Sequence, residues 1–406
     1  MLGLTLEGGG AKGAYQIGAW QAFKEMNLEF QGITGTSVGA LNGALMVQED
    51  FEIAYKIWND IAPHMVMDID DRIYEMLSGN QLNASNIHII FEEIRKIVKG
   101  FGLDTKPLEK LIKQTLKEEK IRKSKTDFGF VTVSLTDFKP MEIFKEEIPS
   151  AKMADYLMAS SYLPIFKSKK LDGKNFLDGS FYNNLPIDML YHKGYKEIVA
   201  VRLLSRGRIK KTDYPDLKVI CIQPNQDLGN IMDFTKKRAQ RNIRLGYFDT
   251  IKVFKGLKGK NYYIETNIQE EEALKFLMNI NEEAIRELAE LYSLSPSKAS
   301  NRLLLEDIIP RWVSFMGLEE NASYKDVMIG LVEGLGHYNQ IDPFHIYTLS
   351  ELFKKSMEAY KKSQRNNKNS NMGLLIKAEF LLKLKKEKLL EETIKILCKH
   401  HKMRFD

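Results

Sequence analysis

The sequence predicts an α/β layered fold followed by a largely helical region. Strand and helix signals alternate through the first half of the 406 residues. Two near-continuous apolar runs, "KEIVAVRLL" (196–204) and "LKVICIQP" (217–224), read as strands buried on both faces of a parallel sheet. From about residue 229 the strand signals stop, apart from a short one at "NYYIET" (261–266).

The elements follow in order. "LGLTLE" (2–7) is a short apolar strand that ends at three glycines. Residues 11–27 have helical spacing, with Ala14, Ile17, Ala22, Phe23 and Met26 on one face. "FQGITGT" (30–36) is a second strand, and the small residues from Ser37 to Gln48 form a second helix. A charged helical stretch runs from about 51 to 122. Residues 127–138 alternate as a strand and pair with "KPMEIFKEE" as a hairpin. Residues 151–166 are a helix broken at Pro164, and Asp178 ends another apolar strand. Residues 231–254 and most of 270–362 are helical. A polar linker, "SQRNNKNSNMG" (363–373), precedes a basic amphipathic helix over 374–402, and no internal repeat is present.

The length suits two domains, or one with an appendage. Hydrophobic residues at 44% and charged residues at 28% describe a globular chain. No apolar run reaches the ~18–20 residues of a membrane span. No basic leader precedes the first strand, so a cytoplasmic protein is expected. Cys221 reads as buried in a strand and Cys398 as lying on a polar helix, which makes neither a disulfide framework nor a metal site. The net charge of +6 resides in the tail: residues 351–406 hold 15 Lys/Arg against 7 Asp/Glu, which leaves 45 against 47 elsewhere. No nucleic-acid groove is implied. The basic helix over 374–402 suits peripheral contact with an anionic membrane.

Two glycine-lined turns carry the chemistry. "Glu7-Gly8-Gly9-Gly10-Ala11-Lys12-Gly13" lies between a strand and a helix, where unpaired N–H groups can hold an anion. Gly8, Gly10 and Gly13 also fit G-x-G-x-x-G, the dinucleotide pattern of an oxidoreductase. The next strand, however, ends at Thr36 with no acidic residue to grip a ribose. The third use of such a loop is an oxyanion hole. Gly35-Thr36-Ser37-Val38-Gly39 fits the nucleophile elbow G-x-S-x-G. Consecutive strands are usually neighbours, so both turns belong at one sheet edge. Of the seven histidines only His192 falls near a place suited to a base, and it reads as the end of a helix. Asp178, displayed before Gly179, is the better partner for Ser37.

"LEGGGAKGAYQIGAWQAF", "GTSVGALNG", "ASSYLPIF" and "DGSFYNNLP" occur in the order and at the intervals of the patatin-like phospholipases, and residues 1–205 resemble that family. The resemblance implies a three-layer α/β/α sandwich with a mostly parallel sheet. Residues 206–260 would complete this catalytic core, 261–362 form a helical domain, and 363–406 the linker and basic helix. It implies a Ser37–Asp178 dyad, an oxyanion hole at Gly8, Gly9 and Gly10, and no metal or organic cofactor. Lys12 would attract a phosphate head group. Gly13, Gly35, Gly39, Gly179, Ser180, Asn184 and Pro186 would support the motifs, with Ser180 standing where the family has Gly or Ala. The expected activity is hydrolysis of acyl esters of phospholipids or lysophospholipids. A thioesterase or acyltransferase would use the same dyad, and a non-catalytic lipid-binding or scaffold protein is a further alternative.

Overall fold

The first strand, β1 (Leu2–Leu6), lies inside a seven-stranded sheet rather than at its margin. The computed structural model describes residues 1–78, 102–167, 170–295, 297–366 and 378–400, and the chain divides into two units, Met1–Phe254 and Lys255–Asp406. In the first unit β1 pairs in parallel with β2 (Gly32–Thr36) and with β6 (Glu197–Val201). β2 continues in parallel to β3 (Asp127–Ser134), and β6 to β7 (Lys218–Ile222). Antiparallel partners close the far side. The expected hairpin joins β3 to β4 (Lys139–Phe144), and β5 (Phe176–Asp178) pairs with the end of β3.

Helices cover both faces and give three layers. The helices α1 (Ala14–Glu25) and α2 (Val38–Val47) follow the two glycine turns, and α3 is Phe51–Asn59. Gly43 of α2 sits over Phe128, Ile33 and Leu6 of the sheet. Further along the chain α4 (Asp71–Ser78), α5 (Lys106–Thr115), α6 (Glu118–Lys123) and α7 (Met153–Ser160) occupy the stretch read as charged helix and its successor. The centre of that stretch lies outside the described residues. On the opposite face α8 (Ile187–His192) brings Leu190 against Gly3 and Gly32. Finally α9 (Lys236–Lys255) crosses α1 almost backbone to backbone. A Cβ on Gly18 would fall 1.8 Å from the Ile243 carbonyl oxygen, and one on Gly246 1.8 Å from that of Tyr15.

Several expectations need correction. α7 stops at Ser160 instead of reaching Pro164, because Ser161 already turns the chain, its amide donating to the Met158 carbonyl at 2.9 Å. β7 is not buried on both faces: it is an edge strand with Lys218, Val219 and Cys221 exposed. Ile220 and Ile222 face the covered side, while the apolar Val219 and Cys221 stand on the open one.

In the second unit β8 (Tyr263–Glu265) pairs in parallel with β9 (Ile346–Thr348), a strand the sequence did not announce. Around them lie α10 (Glu270–Met278), α11 (Glu282–Leu291), α12 (Ile309–Met316), α13 (Tyr324–Tyr338) and α14 (Leu349–Asn366). α14 takes in Ser363–Asn366, the start of the expected linker. The tail helix is α15 (Ala378–Lys399). Its Ile394, Leu397 and Cys398 are buried in one cluster with Leu288, Trp312, Val332 and Leu352. The apolar face at 394–398 therefore belongs to a protein core. Among the described residues no helix is long and apolar enough to cross a membrane.

Candidate active site

The two glycine turns end neighbouring parallel strands, so they stand side by side at one sheet edge. Ser37 occupies the bend between β2 and α2 with φ 54° and ψ −125°, a backbone conformation rare for any residue but glycine. Such a conformation costs ~1–3 kcal/mol and persists only where the surroundings impose it. They do so here. The flanking glycines allow the turn to close, since a Cβ on Gly35 would meet the Gly39 backbone at 2.4 Å and one on Gly39 the Leu6 carbonyl at 2.3 Å. The Ser37 amide donates to Ser160 Oγ at 2.9 Å, and that hydroxyl donates to the Val131 carbonyl at 2.6 Å. Ser160 belongs to the quoted "ASSYLPIF" block, but its clamp on the elbow was not foreseen.

Asp178 ends β5 and is fully buried. Its Oδ1 accepts from the Ser180 amide at 2.8 Å, which makes Ser180 a support through its backbone. Gly179 is forced by space, because a Cβ there would meet the Val131 carbonyl at 2.2 Å. Asp178 Oδ2 is buried and meets no donor at hydrogen-bonding geometry. The Ser37 hydroxyl lies near enough to favour the carboxylate, short of a formed bond. Burial outweighs it and raises the Asp178 pKa above the ordinary carboxylate value, with the hydroxyl and the Ser180 contacts pulling the other way. That is the change a lone aspartate base requires.

The glycine loop divides its duties. The Gly8 amide donates to the Asn184 carbonyl at 3.1 Å, so Gly8 is corrected from oxyanion donor to structural residue. Among the described residues the amides of Gly9 and Gly10 have no acceptor. Asn184 Nδ2 clasps the Gly8 carbonyl at 3.2 Å, and the Pro186 carbonyl accepts from Thr34 Oγ1 at 3.0 Å. Gly13 packs where a Cβ would meet Val38 at 2.4 Å. Lys12 Nζ lies 3.5 Å from the carbonyls of both Leu203 and Leu204, leaning on a loop rather than reaching toward Ser37. The Ala11 amide donates to the Ile231 carbonyl at 2.8 Å, and that oxygen also faces Gly10, so this amide is not open to a ligand. His192 sits at the end of α8 beside the Tyr214 hydroxyl, 3.3 Å away, and bonds neither Ser37 nor Asp178.

Two further features were not read from the sequence. Glu7, fully buried, accepts from the amides of Leu203 at 2.7 Å, Leu204 at 3.2 Å and Ser205 at 3.3 Å, with Arg202 Nε at 3.4 Å. A buried chain, Trp58 to Asn42 to Gln16 to the Glu7 carbonyl, backs the loop through bonds of 2.9, 2.8 and 2.7 Å. In front of Ser37 opens an apolar cavity of about 100 Å³. Leu41, Leu45, Trp58, Leu111 and Phe166 line it together with Ser37 and Gly10.

Residues 4–191 match the family model described as Patatin-like phospholipase. Over those residues, somewhat under half of the chain, it is similar to that family. Curated relatives align with this patatin-like domain over part of their length. "Patatin-like phospholipase domain-containing protein 7" of Rattus norvegicus is 28% identical over 53% of this chain and 14% of its own. "Patatin-like phospholipase domain-containing protein 6" of Homo sapiens is 25% identical over 64% and 18%. "Neuropathy target esterase sws" of Drosophila melanogaster is 27% identical over 53% and 14%. The chain thus spans under a fifth of these relatives. Among solved structures, VipD from Legionella pneumophila is similar at 13% identity and a TM-score of 0.40, covering 99% of this chain and 92% of that one.

Proposed function

We propose that the patatin-like domain is a serine acyl hydrolase that cleaves acyl esters of phospholipids or lysophospholipids with a Ser37–Asp178 dyad. The observation that carries this reading is the meeting of three things: a strained serine, a buried carboxylate oxygen without a partner, and an apolar cavity open at that serine. Ser37 Oγ attacks the ester carbonyl while Asp178 Oδ2 takes its proton. The developing oxyanion is held by the Gly9 and Gly10 amides, each such donor being worth ~3–4 kcal/mol. Asp178 returns the proton to the leaving alcohol, and water, deprotonated by the same carboxylate, releases the acid from the acyl-enzyme. The cavity takes the acyl chain, in keeping with the phospholipase and esterase names of the relatives. Thioester cleavage or acyl transfer would use the same groups with another leaving group or acceptor.

The test is labelling by a serine-directed fluorophosphonate, with turnover of a panel of phospholipid, lysophospholipid and thioester substrates. Wild type should label and hydrolyse the oxygen esters, and Ser37→Ala should lose both, with turnover down ~10³-fold or more. Equal labelling of wild type and Ser37→Ala would remove Ser37 from the mechanism.

A further inference from the structure

Among the described residues eight large apolar side chains are exposed, and five of them leave from loops at the edge that carries Ser37. They are Leu135 and Phe138 after β3, Phe181 after Asp178, and Leu204 and Ile209 after β6. Phe138 is 91% exposed and Phe181 53%. Single exposed leucines are ordinary on a protein surface, but a group at one edge points to a partner that accepts apolar side chains.

The loop after β6 adds charge. Residues 202–211 read Arg-Leu-Leu-Ser-Arg-Gly-Arg-Ile-Lys-Lys, with five cations and no acid. Arg202 is tied to Glu7, and Lys210 to Asp188 and Glu142. Arg206, Arg208 and Lys211 are exposed and have no acidic partner among the described residues, while Asp213 follows as an exposed acid. The loop is braced rather than loose. Buried Glu7 accepts three of its amides, and Leu204 is held at φ 48°, left-handed for a leucine with 46% of its surface exposed. The Arg208 amide donates to the Ser180 carbonyl at 2.9 Å, and its carbonyl accepts from the Asn184 amide at 2.6 Å. Those two bonds lay Ile209 beside Phe181 and next to the Asp178 turn.

We propose that this loop, with Phe181, is the surface through which the patatin-like domain seats on an anionic lipid bilayer. Exposed leucine, isoleucine and phenylalanine would enter the acyl boundary, while Arg206, Arg208 and Lys211 meet anionic head groups. An acidic protein would engage the cations but leave the apolar group in water, so a bilayer fits the whole surface. The inference rests on the proposed lipid chemistry only for its purpose, since binding is measured without turnover.

The experiment is co-sedimentation of the full-length Ser37→Ala chain with vesicles of phosphatidylcholine, with and without phosphatidylglycerol. It is repeated with Arg206→Glu/Lys211→Glu and with Leu204→Ser/Ile209→Ser added. With Ser37 restored, each pair is also assayed on a short soluble ester. The expected result is retention on anionic vesicles that falls with salt and drops roughly tenfold or more with the charge reversals. The apolar pair should weaken retention too, and soluble-ester rates should stay within about twofold, which shows that the site still folds. Anionic-vesicle retention unchanged by both pairs, or equal retention on neutral vesicles, overturns the proposal. A wild-type chain that binds anionic vesicles yet hydrolyses no ester would instead overturn the proposed function and leave this surface standing.

Discussion

Asp178 keeps one carboxylate oxygen on the Ser180 amide and the other without a donor, and burial holds its pKa above the ordinary value. The sign of the linkage follows. A carboxyl whose folded pKa is raised favours folding most below its unfolded pKa of ~3.9, and that contribution is lost as pH rises through the folded value. Asp178→Asn should therefore abolish hydrolysis yet raise Tm at neutral pH, with the gain vanishing near pH ~4, as a pH series of thermal melts would read. The acid limb of kcat/KM in wild type should fall above the usual carboxylate range, because only the ionised form accepts the proton. Ser37 and Asp178 were legible because each sits in a short local pattern on a turn. Ser160 was not, since its bond to the Ser37 amide spans 123 residues and leaves no periodic trace. Glu7 was in plain view before the glycines, but nothing local says that a carboxylate there is buried against a loop 196 residues later.

At the scale of elements, the first-half alternation placed the strands and helices well, since period and apolar runs are local properties. Edge position is not local: "LKVICIQP" reads the same in a covered strand as in β7, whose outer side is open. Cys221 is exposed for that reason, whereas Cys398 is buried because its helix packs into the core of the second unit. Elements also hold one another through Glu7. Glu7→Gln keeps the size but turns an amide toward three N–H donors, and should cost about 2 kcal/mol. The loop 203–205 and the glycine turn would loosen together, so kcat should fall while KM for a short ester changes little. Steady-state kinetics beside a thermal melt would separate this from simple unfolding, in which the active fraction falls at unchanged KM and only above the melting onset.

Over the whole chain, the tail is where charge and structure part company. Its surplus of cations was legible, but its apolar side serves the core of the second unit. Burial pushes the Cys398 thiol up to about 12, while Cys221 is open to solvent. A disulfide reagent should therefore modify one thiol quickly and the other only as the second unit opens, and Cys221→Ser should remove the fast phase alone. The crossing of α1 and α9 sets another whole-chain property. Gly18 and Gly246 allow contact that even a methyl group would break, so Gly18→Val should cost at least ~3 kcal/mol. The same contact limits how the chain can be divided. The family model's match ends at residue 191, before β6, β7 and α9, yet the Ala11 amide and the backbone of α1 are completed by residues 231–246. A fragment cut at 191 would lack the other half of its own wall and should come out insoluble, whereas one carried through α9 should be recovered folded. The unit that can be inherited, fused or transplanted is thus longer than the stretch by which it is recognised.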